Sequence, residues 1–586
     1  MRLQRSDKFA NRCVTLTREA LGFSEHIQEK ELDLLRYLAF ECDEPSRAVR
    51  FDPFCYLASE VFSKWTENKL PTARRDAIAR FKERELVNRD LNAKLADLQY
   101  EGWLGDACRL VGRVLKGITV ESVIQRAGFS GGASASVPRH SSTPADKWAP
   151  VNYRGLPQFG TSGIWSYYDA LLRGCAVPGL GRSFTLVPGD TIDTVNKNWK
   201  IDRIINPQPA LNLFFQRGLG GEIRRGLRKF GLLHPNAQET QRARARQGSI
   251  TGDLATLDLR DASTSVTTGM VNTLVEGPVR KMLFDFRSPG TWLQCKNNDG
   301  SFNREGPWTC DPYEMISTMG NGYTFELETM LFWAVAAAKC KQLGIHWSQV
   351  TVYGDDIICP TSAVEAVREG LLTFGLELND KKSFYHPYPG FRESCGGHYW
   401  MGYDVTPFYL KRAPDNIGDV ILLHNKVAKW EASQEAFPWV QTQPDFTALK
   451  QFCRRETPAR FRGPRNIAGC LWSEWDQARP TFQASTQSYA ISVVVKDSVQ
   501  KAAKSQEGAY LAYLWNASRR SSVAGYAPCR YRQAGALAHY VKSTAMEVKA
   551  FGVVTSDEHE WEDESTKYRA VNIFVDRDAW DLPDLM

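Results

Sequence analysis

Asp355 and Asp356 stand side by side in "TVYGDDIICP", the stretch Thr351 to Pro360. Val350, Val352 and Tyr353 precede them and Ile357, Ile358 and Cys359 follow. β-Branched and aromatic residues around a glycine predict a tight hairpin with both carboxylates at its tip. A solvated turn would use the same residue types. A third carboxylate lies upstream in "DLATLDLRDASTS". There Leu254, Thr256 and Asp258 share one face of a predicted strand, and Ala255, Leu257 and Leu259 the other. A carboxylate at the end of a buried strand needs a compensating partner. If that strand lies beside the hairpin, three carboxylates converge, and divalent cations relieve their repulsion. Magnesium takes oxygen ligands and is commonly shared with substrate phosphates. Two such ions about 3.5–4 Å apart serve phosphoryl transfer.

Other residues would handle the phosphates. "TVNKNWKIDRIINP" carries Lys197, Lys200 and Arg203 at three-residue spacing, a clamp for a triphosphate or else a solvated charged strand. In "STMGNGYTFELETMLFWAVAAAKC", Gly320-Asn321-Gly322 predicts a turn entering a long helix. Such a turn lets backbone and substrate approach closely and offers free N–H groups to an anion, although an ordinary loop-to-helix junction reads the same way. Phe325, Met330, Phe332 and Trp333 are the buried candidates of that helix, and Glu326 and Glu328 suit its first turn. Lys381 and Lys382 could donate a proton to a leaving diphosphate or offset its charge, with surface lysines as the alternative. Val266, Met270, Val271, Leu274 and Val275 follow helical spacing, and Asp261 or Ser263 would cap that helix. Cys395 reads as a core thiol, and His398 is as readily structural as functional.

These residues need a large scaffold. The chain has 586 residues, 43% hydrophobic and 24% charged, which predicts a multi-lobed globular protein. Its net charge of +6 permits a nucleic-acid partner without demanding one. Thirteen scattered cysteines argue against a zinc site or a disulfide framework and for reduced thiols. The N-terminal residues carry charge throughout and predict no secretory leader. The apolar run Met330 to Ala338 is too short to span a bilayer, so no membrane association is expected.

Residues 1–125 predict helices, notably in "EKELDLLRYLAFECDE" and "ARRDAIARFKERELVNRDLNAKLADLQYEGWL". Phe129 to Pro157 is rich in Gly, Ser and Pro and predicts a mobile connection or irregular loop. Between Arg217 and Arg246 the chain is strongly basic and suggests a track for phosphates. From Thr251 to Phe384 short strands alternate with helices, an α+β layer. Aromatic strands and further helices follow beyond residue 390, and the chain turns acidic from Asp557 onward.

The order and wording of these blocks identify a family. "FSGGA", "NKNWKIDR", "LATLDL", "STMGNGYTFELE", "VTVYGDDIICP" and "FRESCGGHYWMGYDVTPFY" resemble the catalytic β subunit of the RNA-directed RNA polymerases of positive-strand RNA bacteriophages, the replicases of the Qβ and MS2 type. The resemblance covers roughly residues 125 to 410. It implies a right-hand fold of palm, fingers and thumb, with an antiparallel palm sheet backed by helices. Residues 1–125 would contribute fingers and thumb contacts, 126–250 the fingers, 251–390 the palm with part of the fingers inserted, and 391–586 the end of the palm and the thumb. It also implies that Asp258, Asp355 and Asp356 hold two magnesium ions, with Mn²⁺ or Ca²⁺ as substitutes in vitro. Lys197, Lys200 and Arg203 would hold the incoming triphosphate, Gly320, Asn321 and Gly322 would shape the nucleotide and template pocket, and Lys381 or Lys382 would sit near departing pyrophosphate.

The implied activity is RNA synthesis from NTPs on an RNA template, with initiation independent of a primer. Host elongation factors Tu and Ts and a host ribosomal RNA-binding protein are the implied partners, in the cytoplasm of an infected bacterium. The chain departs from the wider polymerase pattern at Ser263, where many polymerases carry a second aspartate, at Thr264, where related phage replicases place it, and at Glu328, where the wider pattern has asparagine. Asp261 is an unusual neighbour, and Asn321 is a candidate for sensing the ribose 2′-hydroxyl, with an ordinary turn role as the alternative. The rivals are a reverse transcriptase, whose hairpin usually carries a bulkier residue in place of Gly354, and a catalytically silent RNA-binding scaffold.

Overall fold

The computed structural model describes residues 7–23, 29–40, 50–67, 69–98, 102–137, 142–149, 157–174, 184–291, 311–435, 444–465, 467–497, 506–524, 567–575 and 577–580. The chain begins with helices α1 (Asp7–Ala20), α2 (Glu29–Phe40), α3 (Pro53–Val61), α4 (Ala73–Ala96) and α5 (Gly102–Leu115). The long charged segment forms two helices, α4 and α5, flanked by Asp97 and Gly102, both weak helix formers. On α5, Trp103, Leu104, Ala107, Leu110, Val111 and Val114 make a three-to-four-residue stripe that is buried. On α4 most charged residues face water, but Glu85 turns inward to accept from the Glu314 and Met315 N–H groups, and Asn92 bonds Thr268 and Glu314.

Hairpin strands β1 (Asp193–Asn196) and β2 (Asp202–Ile205) follow, then helices α6 (Ala210–Arg228) and α7 (Ala237–Thr251). Strand β3 (Leu254–Leu257), helix α8 (Thr268–Leu274), helix α9 (Thr324–Gln342) and strands β4 (Thr351–Tyr353) and β5 (Asp356–Pro360) complete the central unit. Its sheet has the order β3-β5-β4, both pairings antiparallel. Helices α7 and α9 pack against it. The architecture is α+β, as the strand and helix alternation predicts.

Helix α9 forms the centre of the main core. Every residue from Met330 to Ala338 is 0% exposed. A helix apolar on all sides is stable only when surrounded, and α5, α6 and α10 (Val364–Thr373) surround this one. Burying each large side chain there contributes about 1.5–3 kcal/mol. Phe325, expected in the core, is half-buried and packs against it with its ring edge-on to Tyr353.

Beyond the sheet, β6 (Phe391–Ser394), β7 (Gly397–Trp400) and β8 (Tyr403–Asp404) form a second antiparallel sheet. Helices α11 (Ile417–Glu435) and α12 (Thr447–Glu456) follow. They share a core with α1 and α3, so Cys13, Leu57 and Val61 pack with Val420, Val427 and Cys453. Ala39 and Phe40 of α2 pack instead with Phe384, Phe391 and Trp400, so the N-terminal helices divide among three cores. A third antiparallel sheet joins β9 (Thr481–Gln483), β10 (Ser488–Asp497) and β11 (Lys567–Val575).

The Gly- and Ser-rich stretch is described in part. Lys147, 0% exposed, donates from Nζ to the carbonyls of Ser130 and Gly132, so this part of the loop is anchored from within. Its residues 138–141 and 150–156 lie outside the described residues, as does the acidic run 557–564. No helix among the described residues is long and apolar enough to cross a membrane. The cysteines among them are free thiols.

Candidate active site

The predicted hairpin forms with a two-residue turn, Gly354-Asp355, because Tyr353 pairs with Asp356. Gly354 has φ +64, and a Cβ there would stand 2.7 Å from the Phe325 ring. Its N–H donates to Thr329 Oγ1 of α9 at 2.9 Å, which ties the turn to the central helix. Only Asp355 is exposed at the tip. Asp356 opens β5 and is half-buried, with its Oδ2 accepting from the Cys395 N–H at 3.1 Å. The expectation that both carboxylates project freely is corrected: the two-residue turn returns the second one to the sheet.

Asp258 comes next after β3, whose last pair is Leu257 with Ile357. Continuing that register sets Asp258 opposite Asp356. The segment 379–383 grips Asp258. Asn379 donates from N to its carbonyl at 2.8 Å and from Nδ2 to its Oδ2 at 2.9 Å, and its own N–H donates to Ser383 Oγ at 3.1 Å.

The carboxylates feel one another. Burial pushes Asp258 up to about 6, helped by the charges of Asp355 and Glu393 and opposed by Lys382 and the Asn379 hydrogen bond. Burial, with Asp355, Asp258 and Glu393, pushes Asp356 up to about 8. Glu328 is 7% exposed, its Oε1 has no hydrogen-bond partner, and burial together with Asp355 and Glu326 raises its carboxyl far above the usual range. Among the described residues no three His, Cys, Asp or Glu side chains form a closed metal-ligand cluster.

Cations face this group from two sides. Lys382 loses solvation to its surroundings, but Asp258, Glu393, Glu60 and Asp355 outweigh that and hold the ammonium above its ordinary range. Both lysines are exposed, and the Lys381 carbonyl accepts from Arg36 Nη2 at 2.9 Å. Of the two lysines, it is Lys382 that stands among the carboxylates. From the other side comes the β1–β2 turn. Burial lowers Lys197, as do Arg203 and Lys382, while Asp261 and Asp258 oppose the shift. Lys197 and Arg203 are thus neighbours, and Lys197 feels the charges of Asp258 and Asp261. Lys200 lies over the Trp199 ring at 4.9 Å.

The glycine turn is used internally. Gly322 N–H donates to Gln216 Oε1, Tyr323 N–H to Asn321 Oδ1 and Asn321 N–H to the Thr318 carbonyl. Those N–H groups are therefore not free for an anion, and Asn321 serves the turn. Close approach is what its glycines allow: a Cβ on Gly320, at φ +119, would meet the Asn206 carbonyl at 2.5 Å.

Two further expectations are corrected. The helix after Asp258 is capped by Thr267, whose side chain accepts from Met270 N, whereas Asp261 precedes a separate turn in a left-handed conformation with no capping bond. Glu326 does lie in the first turn of α9, paired with Arg224 at 2.8 Å, but Glu328 turns inward. The arginines of the basic stretch bond to the protein itself. Arg217, Arg228, Arg242, Arg244 and Arg246 donate to the carbonyls of Gly128, Leu233, Cys395, Gln349 and Gly402, and Arg225 pairs with Glu222.

Residue types alone did not single out Glu328 as a site residue, nor Glu393, Asn379 or the Cys395 N–H. Glu328 left a signal: an acid within a helix that has almost no polar face. Glu393 left none, since it is one residue of an aromatic strand. There His398, Lys382, Arg36 and Lys64 overcome its burial and hold its carboxyl below the ordinary range. His398 bonds through Nδ1 to Tyr56 OH at 2.7 Å, and its thiol neighbour Cys395 is buried.

Fold and site together define an α+β protein with a carboxylate group at a sheet end, flanked by lysines from two separate segments. A family model described as RNA replicase, beta-chain matches residues 33–561, and the chain belongs to this family. It is similar to the RNA-directed RNA polymerase subunit beta of Escherichia virus Qbeta, 36% identical over 64% of this chain and 62% of the relative. It is also similar to the RNA-directed RNA polymerase beta chain of Escherichia phage MS2, 32% identical over 65% of this chain and 68% of the relative. The corresponding chain of Enterobacteria phage GA is 32% identical over 65% and 71%. The match thus spans less than two thirds of the Qbeta relative's length.

Proposed function

We propose that this chain is the catalytic subunit of an RNA-directed RNA polymerase, which extends RNA with NTPs along an RNA template. The observation that carries the reading is the register of β3 and β5, which sets Asp258 opposite Asp356 next to the Asp355 turn. The names of its relatives as RNA-directed RNA polymerase subunits support it. In this reading residues 251–390 act as palm, 126–250 as fingers and 391–586 as the end of the palm and the thumb, with residues 1–125 bracing fingers and thumb. Since the relatives are named as subunits or chains of a polymerase, further host subunits are part of the proposal, as is initiation without a primer.

The donor set fits magnesium. Asp258, Asp355 and Asp356 offer hard oxygen ligands, their repulsion asks for positive charge, and Glu328 adds a buried oxygen with no partner. No closed cluster is needed, because magnesium commonly completes its shell with water and substrate phosphates. Bound there, two ions would acidify the attacking 3′-hydroxyl and offset charge on the leaving diphosphate.

The protein's own groups do the rest by positioning and electrostatics. Lys197, Lys200 and Arg203 orient the triphosphate. Lys382, held charged by the acids around it, offsets charge on the diphosphate or hands it a proton. Asn379 and the Cys395 N–H fix the directions of Asp258 and Asp356.

The test supplies NTPs or dNTPs with magnesium on one RNA template, using the wild-type chain and Asp356→Asn. RNA synthesis that the substitution lowers by about 10²-fold or more is expected, the scale on which lost electrostatic stabilisation acts. Efficient DNA synthesis without RNA synthesis would overturn the assignment in favour of a reverse transcriptase. Unchanged incorporation by a folded Asp356→Asn chain would leave a scaffold.

A further inference from the structure

The turn that carries Lys197 and Lys200 does not stand free. A two-stranded hairpin alone is marginal in water, and β1–β2 ends at the pair Asn196–Asp202. The chain between α3 and α4 runs along its tip. Trp199 N–H donates to the Trp65 carbonyl at 2.6 Å, and Leu70 N–H donates to the Trp199 carbonyl at 2.8 Å. Asn198 Nδ2 reaches the Ser63 carbonyl. The same segment is held at its other side. Thr66 donates from N and Oγ1 to the Lys411 carbonyl, and Ala413 N–H donates to Glu67 Oε1. Residues 63–67 and 69–70 thus join the hairpin tip to residues 411–413.

Of the charged residues in this strap, Lys64, Glu67 and Lys69, it is Lys69 that meets the hairpin. Its Nζ donates to Asn196 Oδ1 at 2.8 Å and to Asp202 Oδ2 at 2.6 Å. It therefore spans the last pair of the hairpin, where the turn begins. The Asp202 side chain is fully buried, and its Oδ1 has no hydrogen-bond partner. A buried carboxylate deprived of its cation is an uncompensated charge, and the structure around it must then shift or take up a proton. Arg203 is the very next residue and Lys197 is adjacent to Asn196.

We propose that Lys69 is a positioning residue for nucleotide binding: by bridging Asn196 and Asp202 it sets the turn so that Lys197 and Arg203 meet the triphosphate of the incoming nucleotide. This rests on the reading of that turn as a triphosphate clamp. Lys69 itself touches no substrate. A misplacement of about 1 Å in a positioning element can cost about 10²-fold, so a loosened turn should weaken nucleotide binding before it affects the bond-making step.

The test measures NTP KM and kcat for Lys69→Met, Lys69→Arg, Asp202→Asn and Lys197→Met in the full chain with its host partners. Lys69→Met should raise KM about tenfold and leave kcat within about twofold. Lys69→Arg, which keeps charge and donors, should restore most of the loss. Native-state trypsin should cut at Lys197 and Lys200 faster in Lys69→Met than in the wild type. If Lys69→Met does not fold, Asp202→Asn carries the test, with a smaller rise in KM expected. A KM unchanged in Lys69→Met or Asp202→Asn, while Lys197→Met raises it, would overturn the role of Lys69 and leave the clamp standing. A KM unchanged in Lys197→Met would overturn the clamp itself and the inference with it.

Discussion

Asn379 holds Asp258 twice, by a bond from its backbone N–H to the Asp258 carbonyl at 2.8 Å and by one from its amide to Oδ2 at 2.9 Å. One residue therefore fixes both the strand end and the carboxylate it presents. It is followed at once by the segment that carries Lys382. In the proposed reading Asp258 is a magnesium ligand, so Asn379→Ala should lower incorporation about 10–100-fold, the usual cost of losing such a ligand's outer partner. The loss should shrink when magnesium is raised. Magnesium titrations of incorporation rate check this, and an unchanged rate at limiting magnesium would remove Asn379 from the site.

The pH dependence of stability follows from Asp258 and Asp356, raised to about 6 and about 8. An ordinary aspartate titrates near ~3.9. A carboxyl raised on folding binds more protons folded than unfolded. Its contribution is therefore fully present below about pH 4 and is lost as pH climbs through the folded values. The metal-free protein should lose stability from these groups as pH rises from about 4 to about 8. Magnesium binds the deprotonated form, so it should raise Tm clearly at pH 8 and little at pH 5. Thermal unfolding in EDTA and in magnesium at both pH values measures this. Equal shifts at the two would count against cation binding by these groups.

Gly354→Ala tests the hairpin. A side chain at φ +64, with its Cβ 2.7 Å from the Phe325 ring, meets both backbone strain and a clash. About 1–3 kcal/mol of stability should be lost. The turn would also pull away from Thr329, so activity should fall further than the lost fold explains. Denaturant unfolding beside incorporation per folded molecule separates the two. Wild-type stability in Gly354→Ala would mean the turn is not set as described.

The strand and hairpin that carry the carboxylates were legible because alternation over a few residues fixes which side chains share a face, and Leu254, Thr256 and Asp258 obey it. Pairing between distant segments was legible only as a condition: nothing in either stretch says that β3 lies against β5. The basic stretch was legible as charge and not as contacts. Charge along a sequence does not say whether an arginine meets phosphate or a carbonyl, and Arg242, Arg244 and Arg246 meet carbonyls of neighbouring loops. The cap misled. Asp261 and Thr267 are both fit to cap, and the choice rests on backbone direction, which leaves Asp261 at φ 47 and Thr267 extended. Glu393 was out of reach of any local reading, since its neighbours Lys382, Arg36 and Lys64 come from three other segments.

Arg392 offers a test of the scaffold apart from the chemistry. It is 1% exposed, and burial lowers its guanidinium to about 10. Its donors go to three carbonyls, those of Leu254, Phe391 and His386. It thus ties the first residue of β3 to the second sheet, four residues before Asp258. Arg392→Met would leave buried carbonyls without donors and should cost about 2–4 kcal/mol. Arg392→Lys should also lose stability, because an ammonium on a flexible stem cannot reproduce a planar fork. In both variants the molecules that remain folded should keep most of their turnover, since Arg392 meets none of the carboxylates. Denaturant midpoints with incorporation normalised to folded protein measure this. A large loss of turnover at unchanged stability would instead place Arg392 within the catalytic machinery.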